Sequence, residues 1–127
     1  MKNLLDTHTV LWLAANSPRL TERARKTIFN FENTSCVSIV SAWEIAIKIS
    51  LGKMRLNDGI KEFFRITDEF GLEILPIKDD YIKRIENLPF HHRDPFDRML
   101  IVTSEIEGIP LISADTQFHL YDISVIW

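Results

Sequence analysis

Very short apolar runs alternate with longer segments of helical periodicity, and this alternation constrains the fold more than any other feature of the sequence. The predicted strands are Leu4-Leu5, Cys36-Val37, Glu73-Ile74-Leu75, Leu111-Ile112 and Ser124-Val125-Ile126. Short apolar strands separated by helices are typical of a parallel sheet that helices cover on both faces. A chain of 127 residues without repeats or linkers suits one core. We therefore predict one α/β domain over residues 1–127, a three-layer α/β/α sandwich with a short central parallel sheet.

The helical segments are bounded by capping residues, glycines and prolines. Five predicted helices are residues 9–15, 38–50, 79–88, 94–107 and 116–120. Two more are identified by their ends: one is capped by Thr21, and the other is capped by Asn57 and ends at Gly71. The spacing of apolar residues places Phe64 and Ile82 on inward faces. We also expect Trp12, Phe29 and Phe31 to pack in the core.

Charge and cysteine content restrict the class of protein. A net charge of −3 does not favour a nucleic-acid-binding protein by itself, but acids at a metal site would offset basic residues around its rim. The lone Cys36 predicts a buried, unreactive thiol and a reducing cytoplasm. No apolar run approaches the roughly 20 residues that cross a bilayer, and Asp6 comes too early for a signal peptide. We expect a cytoplasmic protein without membrane association.

Four acidic residues occupy positions where strands end or helices begin. Asp6 directly follows the first predicted strand, and Asp115 lies just past the end of the fourth, after Ser113 and Ala114. Glu44 lies in the first turns of the helix after the second strand, and Asp97 lies at the start of another helix. Ligands of parallel α/β sheets bind outside the carboxyl ends of the strands, and right-handed crossovers bring these ends and the helix starts to one edge. The four carboxylates are therefore predicted to converge.

Converging carboxylates repel one another unless a cation neutralises them. Oxygen ligands favour Mg²⁺ or Mn²⁺ over zinc, and the sequence has no cysteine pair or Cys/His spacing typical of a zinc site. His91 and His92 are adjacent and would not share a helical face, so we expect no zinc role for them. The predicted cofactor is Mg²⁺ or Mn²⁺, and its predicted ligands, which are also the catalytic residues, are Asp6, Glu44, Asp97 and Asp115.

Each acid also has an ordinary structural explanation. Asp6 and Asp115 could cap the helices that follow them. Glu44 could form an i,i+4 pair with Lys48, worth a few tenths of a kcal/mol, although its mostly apolar neighbours are unusual for a surface pair. Asp94 is a predicted N-cap, followed by a proline at the first helical position. That all these acids fall at the edge where sites form favours a shared site over separate caps and pairs.

Four segments carry a family resemblance that covers the whole chain in order. They are Leu4-Leu5-Asp6-Thr7-His8, Val37-Ser38-Ile39-Val40-Ser41-Ala42-Trp43-Glu44-Ile45, Arg93-Asp94-Pro95-Phe96-Asp97-Arg98-Met99-Leu100 and Leu111-Ile112-Ser113-Ala114-Asp115. The chain resembles the PIN-domain family, and within it the VapC-type ribonuclease toxins of type II toxin–antitoxin pairs. The second and third segments are specific, whereas the first and last are weak by themselves.

The resemblance implies a PIN-like fold and metal-dependent endonucleolytic cleavage of RNA that leaves a 5′-phosphate and a 3′-hydroxyl. It also implies a homodimer and a small cognate antitoxin protein as partner, and it suggests that some of Trp12, Phe29 and Phe31 line the antitoxin groove or the dimer contact instead of the core. By position, Asp6, Glu44 and Asp97 match the core metal-binding acids of the family, and Asp115 matches a fourth, more variable one. Asp94 is common in this branch, and we interpret it as a cap first and a ligand second.

In the expected mechanism, a bound metal ion lowers the pKa of a water molecule and orients it in line with a phosphodiester. Arg98 is expected either to contact phosphate or to pair with Glu105 at the surface. Ser38 or Thr7 is expected to orient a carboxylate or a water molecule. A basic cluster could follow an RNA backbone or could be a solvated helix end: Lys48, Lys53 and Arg55.

Three other classes of protein compete with this hypothesis. An aspartyl phosphatase needs a second acid two residues after its nucleophile, but Asp6 is followed by Thr7 and His8. A PIN-like nuclease acting on DNA usually carries extra segments that thread the strand, for which this chain has no room. The third is a non-catalytic protein-binding module, in which the acids only cap helices. Incubation with RNA and with DNA, in Mn²⁺ and in EDTA, would separate these classes.

Overall fold

The computed structural model describes residues 1–127, which form five strands, six α-helices and one 3₁₀ helix. The strands are β1 (Lys2–Leu5), β2 (Thr34–Ser38), β3 (Glu73–Leu75), β4 (Leu111–Ile112) and β5 (Val125–Ile126). The helices are α1 (Thr7–Ala14), α2 (Glu22–Phe29), α3 (Ile39–Ser50), α4 (Ile60–Glu69), α5 (Asp79–Ile85), α6 (Pro95–Glu107) and the 3₁₀ helix (Thr116–Leu120). All five predicted strands are confirmed. None of the helices combines the length and the apolar character that a membrane span requires.

The strands form one parallel sheet in the order β3-β2-β1-β4-β5. Leu4 of β1 pairs with Cys36 of β2 on one side and with Leu111 of β4 on the other. The chain adds strands outward from β1 to β3 and then returns to the other side of β1 to place β4. Such a reversal opens a crevice at the carboxyl ends of the two strands. The ends of β1 and β4 are therefore where a ligand site is expected.

Alternate residues along the strands point into two separate cores, one on each face of the sheet. Leu5, Val37 and Ile112 belong to the core beneath α1 to α4. Leu4, Cys36 and Leu111 belong to the core that includes α6. The predicted three-layer α/β/α sandwich is confirmed, because strands buried on both faces require helices on both sides. Cys36 is fully buried as predicted, and burial raises the pKa of its thiol.

Helix α4 begins later than predicted. Its N-cap is Gly59 rather than Asn57, with a φ of 60° and no side-chain cap. A positive φ is accessible to glycine at no steric cost, so the turn into the helix falls there. Phe63 is buried, but Phe64 is exposed, because successive residues on a helix are rotated by about 100°. The inward placement of Phe64 is therefore wrong.

Helix α5 ends at Ile85, three residues earlier than predicted. Its buried residue is Tyr81, whose hydroxyl donates to Glu107 Oε2 at 2.6 Å, whereas Ile82 is exposed. Tyr81 thus sets the phase of the helix against α6, and the inward placement of Ile82 is wrong. Leu88 is buried as expected, although it lies beyond the end of the helix.

The early aromatic residues are less buried than predicted. Phe31 is 95% exposed in the turn before β2, and Phe29 is also exposed, with its ring 6.3 Å from that of Phe70. Trp12 is half-buried and packs against the first core. Core packing is therefore wrong for the two phenylalanines and right in part for Trp12.

Candidate metal centre

Acidic side chains from separate parts of the chain line one small cavity at the carboxyl edge of the sheet. The cavity has a volume of about 140 Å³ and no hydrophobic lining residue. It is lined by Asp6, Thr7, His8, Glu44, Lys48, Asp94, Asp97 and Asp115. The structure therefore brings together all four acids predicted to converge, with Asp94 beside them. We call this space the acid cavity.

Asp6 is buried at the end of β1, and both of its carboxylate oxygens accept hydrogen bonds. Its Oδ1 accepts from the backbone N–H and the hydroxyl of Thr9, at 2.9 and 3.0 Å, which makes it the N-cap of α1. Its Oδ2 accepts from the hydroxyl of Ser113, just after β4. Asp6 is thus a cap and a cavity residue at once, and its orientation is fixed by Thr9 of α1 and by Ser113 after β4.

Glu44 is also buried, one turn and a half into α3. Its Oε1 accepts from the Thr7 hydroxyl at 2.7 Å, and its Oε2 lies 2.8 Å from Lys48 Nζ. The hydrogen bond to Glu44 raises the pKa of Lys48. The i,i+4 pair considered above therefore exists, but it lines the acid cavity and is not a solvated surface pair.

Asp97 carries the clearest electrostatic sign of crowding among the acids. Its pKa is raised to about 7, with burial as the largest cause and the negative charge of Asp94 as the next. Glu44 and Asp6 raise it further, and His92 opposes them. Asp94 is the N-cap of α6, as predicted, and its Oδ1 accepts a hydrogen bond from the backbone N–H of Asp97 at 3.0 Å. Like charges that share a small buried space raise the pKa of one member in this way.

His92 is a site residue that the sequence reasoning missed. Its Nε2 lies 3.0 Å from Asp115 Oδ2 and 3.2 Å from Asp97 Oδ2. Donor atoms of these three residues all lie within 4.8 Å of one another, close enough to share a metal ion. Because His91 and His92 are adjacent, they cannot share a helical face, but this does not prevent His92 alone from reaching the site. His92 reaches the site from a loop, and its position two residues before a helix N-cap was the available signal.

Arg98 does not reach the acid cavity. It is 4% exposed, and its guanidinium donates to backbone carbonyls of the segment before α6, namely Pro89 (2.9 Å), Leu88 (3.0 Å) and His92 (3.2 Å). Glu105 pairs instead with Arg84, at 2.6 Å. Both expectations for Arg98, phosphate contact and a surface pair with Glu105, are therefore wrong, because the side chain is buried as a structural clamp.

Tyr121 holds the same segment from the other side. Its hydroxyl accepts the backbone N–H groups of His91 and His92, at 3.0 and 2.8 Å, and donates to the carbonyl of Pro89 at 2.7 Å. Arg98 and Tyr121 together satisfy both the donors and the acceptors of a loop that has no secondary structure of its own. This double clamp fixes the backbone that delivers His92 to Asp97 and Asp115.

The remaining predicted residues divide between the cavity and other roles. Ser38 is the N-cap of α3, with its Oγ accepting the Val40 N–H at 3.1 Å, and it does not line the acid cavity. Thr7 is the residue that hydrogen-bonds a carboxylate. Lys53 and Arg55 are exposed in the segment after α3 and do not line the acid cavity. Lys48 is the one member of the predicted basic cluster that lines it.

The donor set fits a hard divalent cation. Carboxylates, the preferred ligands of Mg²⁺ and Mn²⁺, surround a space without apolar walls. Lys48 is the only lysine or arginine that lines the space, so the negative charge is only partly balanced. The pKa of Asp97 is raised first by burial and then by the negative charges of Asp94, Glu44 and Asp6, and a bound cation would neutralise those charges.

We predict that the stability of the metal-free protein falls as the pH rises from about 4 to 7. The folded-state pKa of Asp97, about 7, lies above its ordinary value of 3.8, so the folded state binds a proton that the unfolded chain releases. The stability that this proton contributes is fully present below about pH 4 and is lost as the pH rises through about 7. Melting temperatures in EDTA at pH 5 and pH 8 measure it. The matched control is Asp97→Asn, which removes the titrating group; an equal fall in both proteins would contradict the prediction.

Fold and cavity together define an α/β protein whose carboxylate cluster, at the switch point of a parallel sheet, is of the kind that binds divalent cations. The family model described as PIN domain matches residues 4–123. The chain belongs to the PIN domain family.

Solved toxin–antitoxin structures share the fold at low sequence identity. VapBC2 from Rickettsia felis, bound to a DNA fragment from its promoter, has a TM-score of 0.72 and 15% identity over 98% of this chain and 97% of that chain. DNA-bound VapBC from Salmonella typhimurium has a TM-score of 0.67 and 18% identity over 98% and 96%. VapBC-5 from Mycobacterium tuberculosis has a TM-score of 0.61 and 16% identity over 98% and 94%. A search of curated protein sequences finds no match.

Proposed function

We propose that this protein is a single-domain, metal-dependent endoribonuclease that hydrolyses RNA phosphodiester bonds in the cytoplasm. We further propose that it is the VapC-type toxin of a type II toxin–antitoxin pair. Membership of the PIN domain family and structural similarity to VapBC complexes support this proposal. The observation that carries it is the meeting of four acids, distant in sequence, in one polar cavity where one of them has a strongly raised pKa.

In this proposal, Asp6, Glu44, Asp97 and Asp115 hold Mg²⁺ or Mn²⁺, and His92 is a further candidate ligand beside the last two. When bound, the metal supplies an activated water molecule and stabilises negative charge on the phosphate. The protein prepares the ligands in advance. Thr7 orients the Glu44 carboxylate, and Ser113 and Thr9 orient that of Asp6. Lys48 lies beside Glu44 and offers a positive charge to an approaching phosphate.

The proposed partners follow from the same relationship. The similar structures are complexes of VapBC systems, and one is described as a member of a toxin–antitoxin family. We therefore propose a small cognate antitoxin that binds and neutralises this protein, and a homodimer as its own assembly. Size-exclusion chromatography with light scattering, alone and with the product of a neighbouring small reading frame, measures both.

The decisive experiment incubates the purified protein with unstructured RNA and with DNA of the same sequence. We expect cleavage of RNA in Mn²⁺ or Mg²⁺, none in EDTA, and products with a 5′-phosphate and a 3′-hydroxyl. A matched control is Asp68→Asn, which removes an exposed acid of α4 outside the acid cavity. It should cleave like the wild type.

Each alternative class has its own outcome in the same experiment. Cleavage of DNA alone would favour a PIN-like nuclease acting on DNA and would contradict the RNA proposal. Binding of Mn²⁺ without cleavage of either polymer, or no metal binding at all, would favour a non-catalytic binding module. Electron paramagnetic resonance of free Mn²⁺ measures metal binding independently of activity.

A further inference from the structure

A second cavity adjoins the acid cavity at the same edge of the sheet. It has a volume of about 300 Å³ and is lined by Asp6, His8, Trp12, Arg19, Ala114 and Asp115. Three of these residues, Asp6, His8 and Asp115, also line the acid cavity. A single ligand could therefore occupy both spaces, with one part at the carboxylates and the next part against Trp12, Arg19 and Ala114. We call the second space the ring cavity.

Apart from Ala114 and the two acids that it shares with the acid cavity, the ring cavity is lined by aromatic and cationic side chains. The Trp12 ring lies 5.8 Å from the ring of His8 at an interplanar angle of 36°. The guanidinium carbon of Arg19 lies 5.8 Å from the centre of the Trp12 ring. The rings of Trp12 and Trp127 lie 5.7 Å apart. Trp12 is half-buried, whereas Arg19 is exposed and makes no ion pair with an acidic residue. The cavity thus combines a half-buried indole with an exposed arginine that lies over it and has no acidic partner.

This combination fits one component of RNA in particular. Aromatic rings bind unpaired bases by stacking whatever their sequence, and arginine adds a cation–π or phosphate contact. Recognition of single-stranded RNA depends on splayed bases that stack on such side chains. A base-paired strand could not present a base face to this wall. The position beside the carboxylates corresponds to a nucleotide next to the cleaved bond.

We propose that the ring cavity binds an unpaired nucleobase adjacent to the scissile phosphate, with Trp12 as the stacking residue and Arg19 as a contact to the flanking phosphate. This inference rests on the proposed function and deepens it, because it names single-stranded RNA as the substrate form. Trp12 and Arg19 are substrate-binding residues here and have no part in holding metal.

The test measures binding of a short unstructured oligoribonucleotide that contains one 2-aminopurine, whose fluorescence falls on stacking. Binding is measured in Ca²⁺, over times in which gel electrophoresis shows the RNA intact. We expect Trp12→Leu to weaken binding by about tenfold or more and to abolish the fluorescence change. Trp12→Phe keeps a ring and should retain most of both. Arg19→Ala should weaken binding more than Arg19→Lys does.

The control variant is Phe31→Leu, which removes an aromatic ring that is 95% exposed in the turn leading into β2, at the opposite edge of the sheet. It should bind RNA like the wild type. Because Trp12 also packs against the core, melting temperatures are recorded for every variant. Arg19 is exposed, so its variants test the ring cavity without a risk to folding.

The outcomes separate this inference from the proposed function. If the wild type cleaves RNA in Mn²⁺ but Trp12→Leu and Arg19→Ala bind it as tightly as the wild type, the ring cavity is not a nucleobase site. If the wild type neither binds nor cleaves RNA, the proposed function itself fails. An RNA with an abasic position in place of 2-aminopurine should bind wild type and Trp12→Leu alike. A tenfold difference with that RNA would contradict stacking.

Discussion

Replacing Asp97 by Asn is expected to abolish RNA cleavage and, in EDTA, to raise the melting temperature. The side chain shares the acid cavity with four other acids and has a pKa of about 7, so at neutral pH its ionisation opposes folding when no cation is present. Removing the charge should stabilise the metal-free protein by about 1–3 kcal/mol, or raise the melting temperature by roughly 5 °C. Cleavage should fall by at least about a hundredfold, because a ligand of the proposed metal is lost.

Differential scanning fluorimetry in EDTA and in Mn²⁺ separates the two effects. A cation that binds only the folded state stabilises it by mass action, so the wild type should gain more from Mn²⁺ than the variant does. Asp68→Asn, at an exposed position, should change neither quantity. A lower melting temperature for Asp97→Asn in EDTA would contradict the crowding of the acids. Undiminished cleavage would remove Asp97 from the proposed metal centre.

Replacing Arg98 by Ala is expected to destabilise the protein by about 3 kcal/mol or more, the largest stability effect among these substitutions. The buried guanidinium donates to the carbonyls of Leu88, Pro89 and His92, and its loss removes the side-chain donor of Leu88 and His92, whereas Pro89 keeps its bond from the Tyr121 hydroxyl. Arg98→Lys should recover only part of the loss, because an ammonium group cannot match the planar fork of the guanidinium. Urea unfolding monitored by tryptophan fluorescence measures the free energy of unfolding.

Arg84→Ala is the matched control for this effect. Arg84 also binds a partner through its guanidinium, Glu105 at 2.6 Å, but its side chain is 36% exposed, and exposed ion pairs contribute about 1 kcal/mol or less. If both variants lost the same small amount of stability, the clamp assigned to Arg98 would be wrong. A loss of cleavage in Arg98→Lys at a temperature where it is fully folded would show that the clamp also positions His92.

The positions of the strands and of most helices were predictable because they depend on local sequence. Short apolar runs define the five strands, of which β1 ends at an acid and β3 at a proline, and capping residues such as Thr21 and Asp94 define helix starts. The errors occurred where tertiary contacts decide. Tyr81 rotates α5 through its bond to Glu107, and Gly59 starts α4 through a backbone conformation that spacing does not encode.

The convergence of the acids was predictable for a similar reason. Asp6 and Asp115 follow strands, and the topology of parallel sheets brings strand ends together. The roles of His92, in the loop before α6, and of Arg98, in α6, were not predictable in this way. His92 and Arg98 lie within six positions of each other, yet one faces the carboxylates and the other is buried against backbone carbonyls. Neither orientation follows from periodicity, because the segment that contains His92 is held by side chains from α6 and from Tyr121.

The hydrogen bond from Ser113 to Asp6 joins positions 107 residues apart in the sequence. During translation, Asp6 is made 107 residues before Ser113, so its side chain lacks this partner while the segment between them is made. A ribosome-bound fragment that stops before residue 94 lacks three of the five acids that line the acid cavity, Asp94, Asp97 and Asp115. On the proposed function, such a nascent chain is harmless to the messenger from which it is being read.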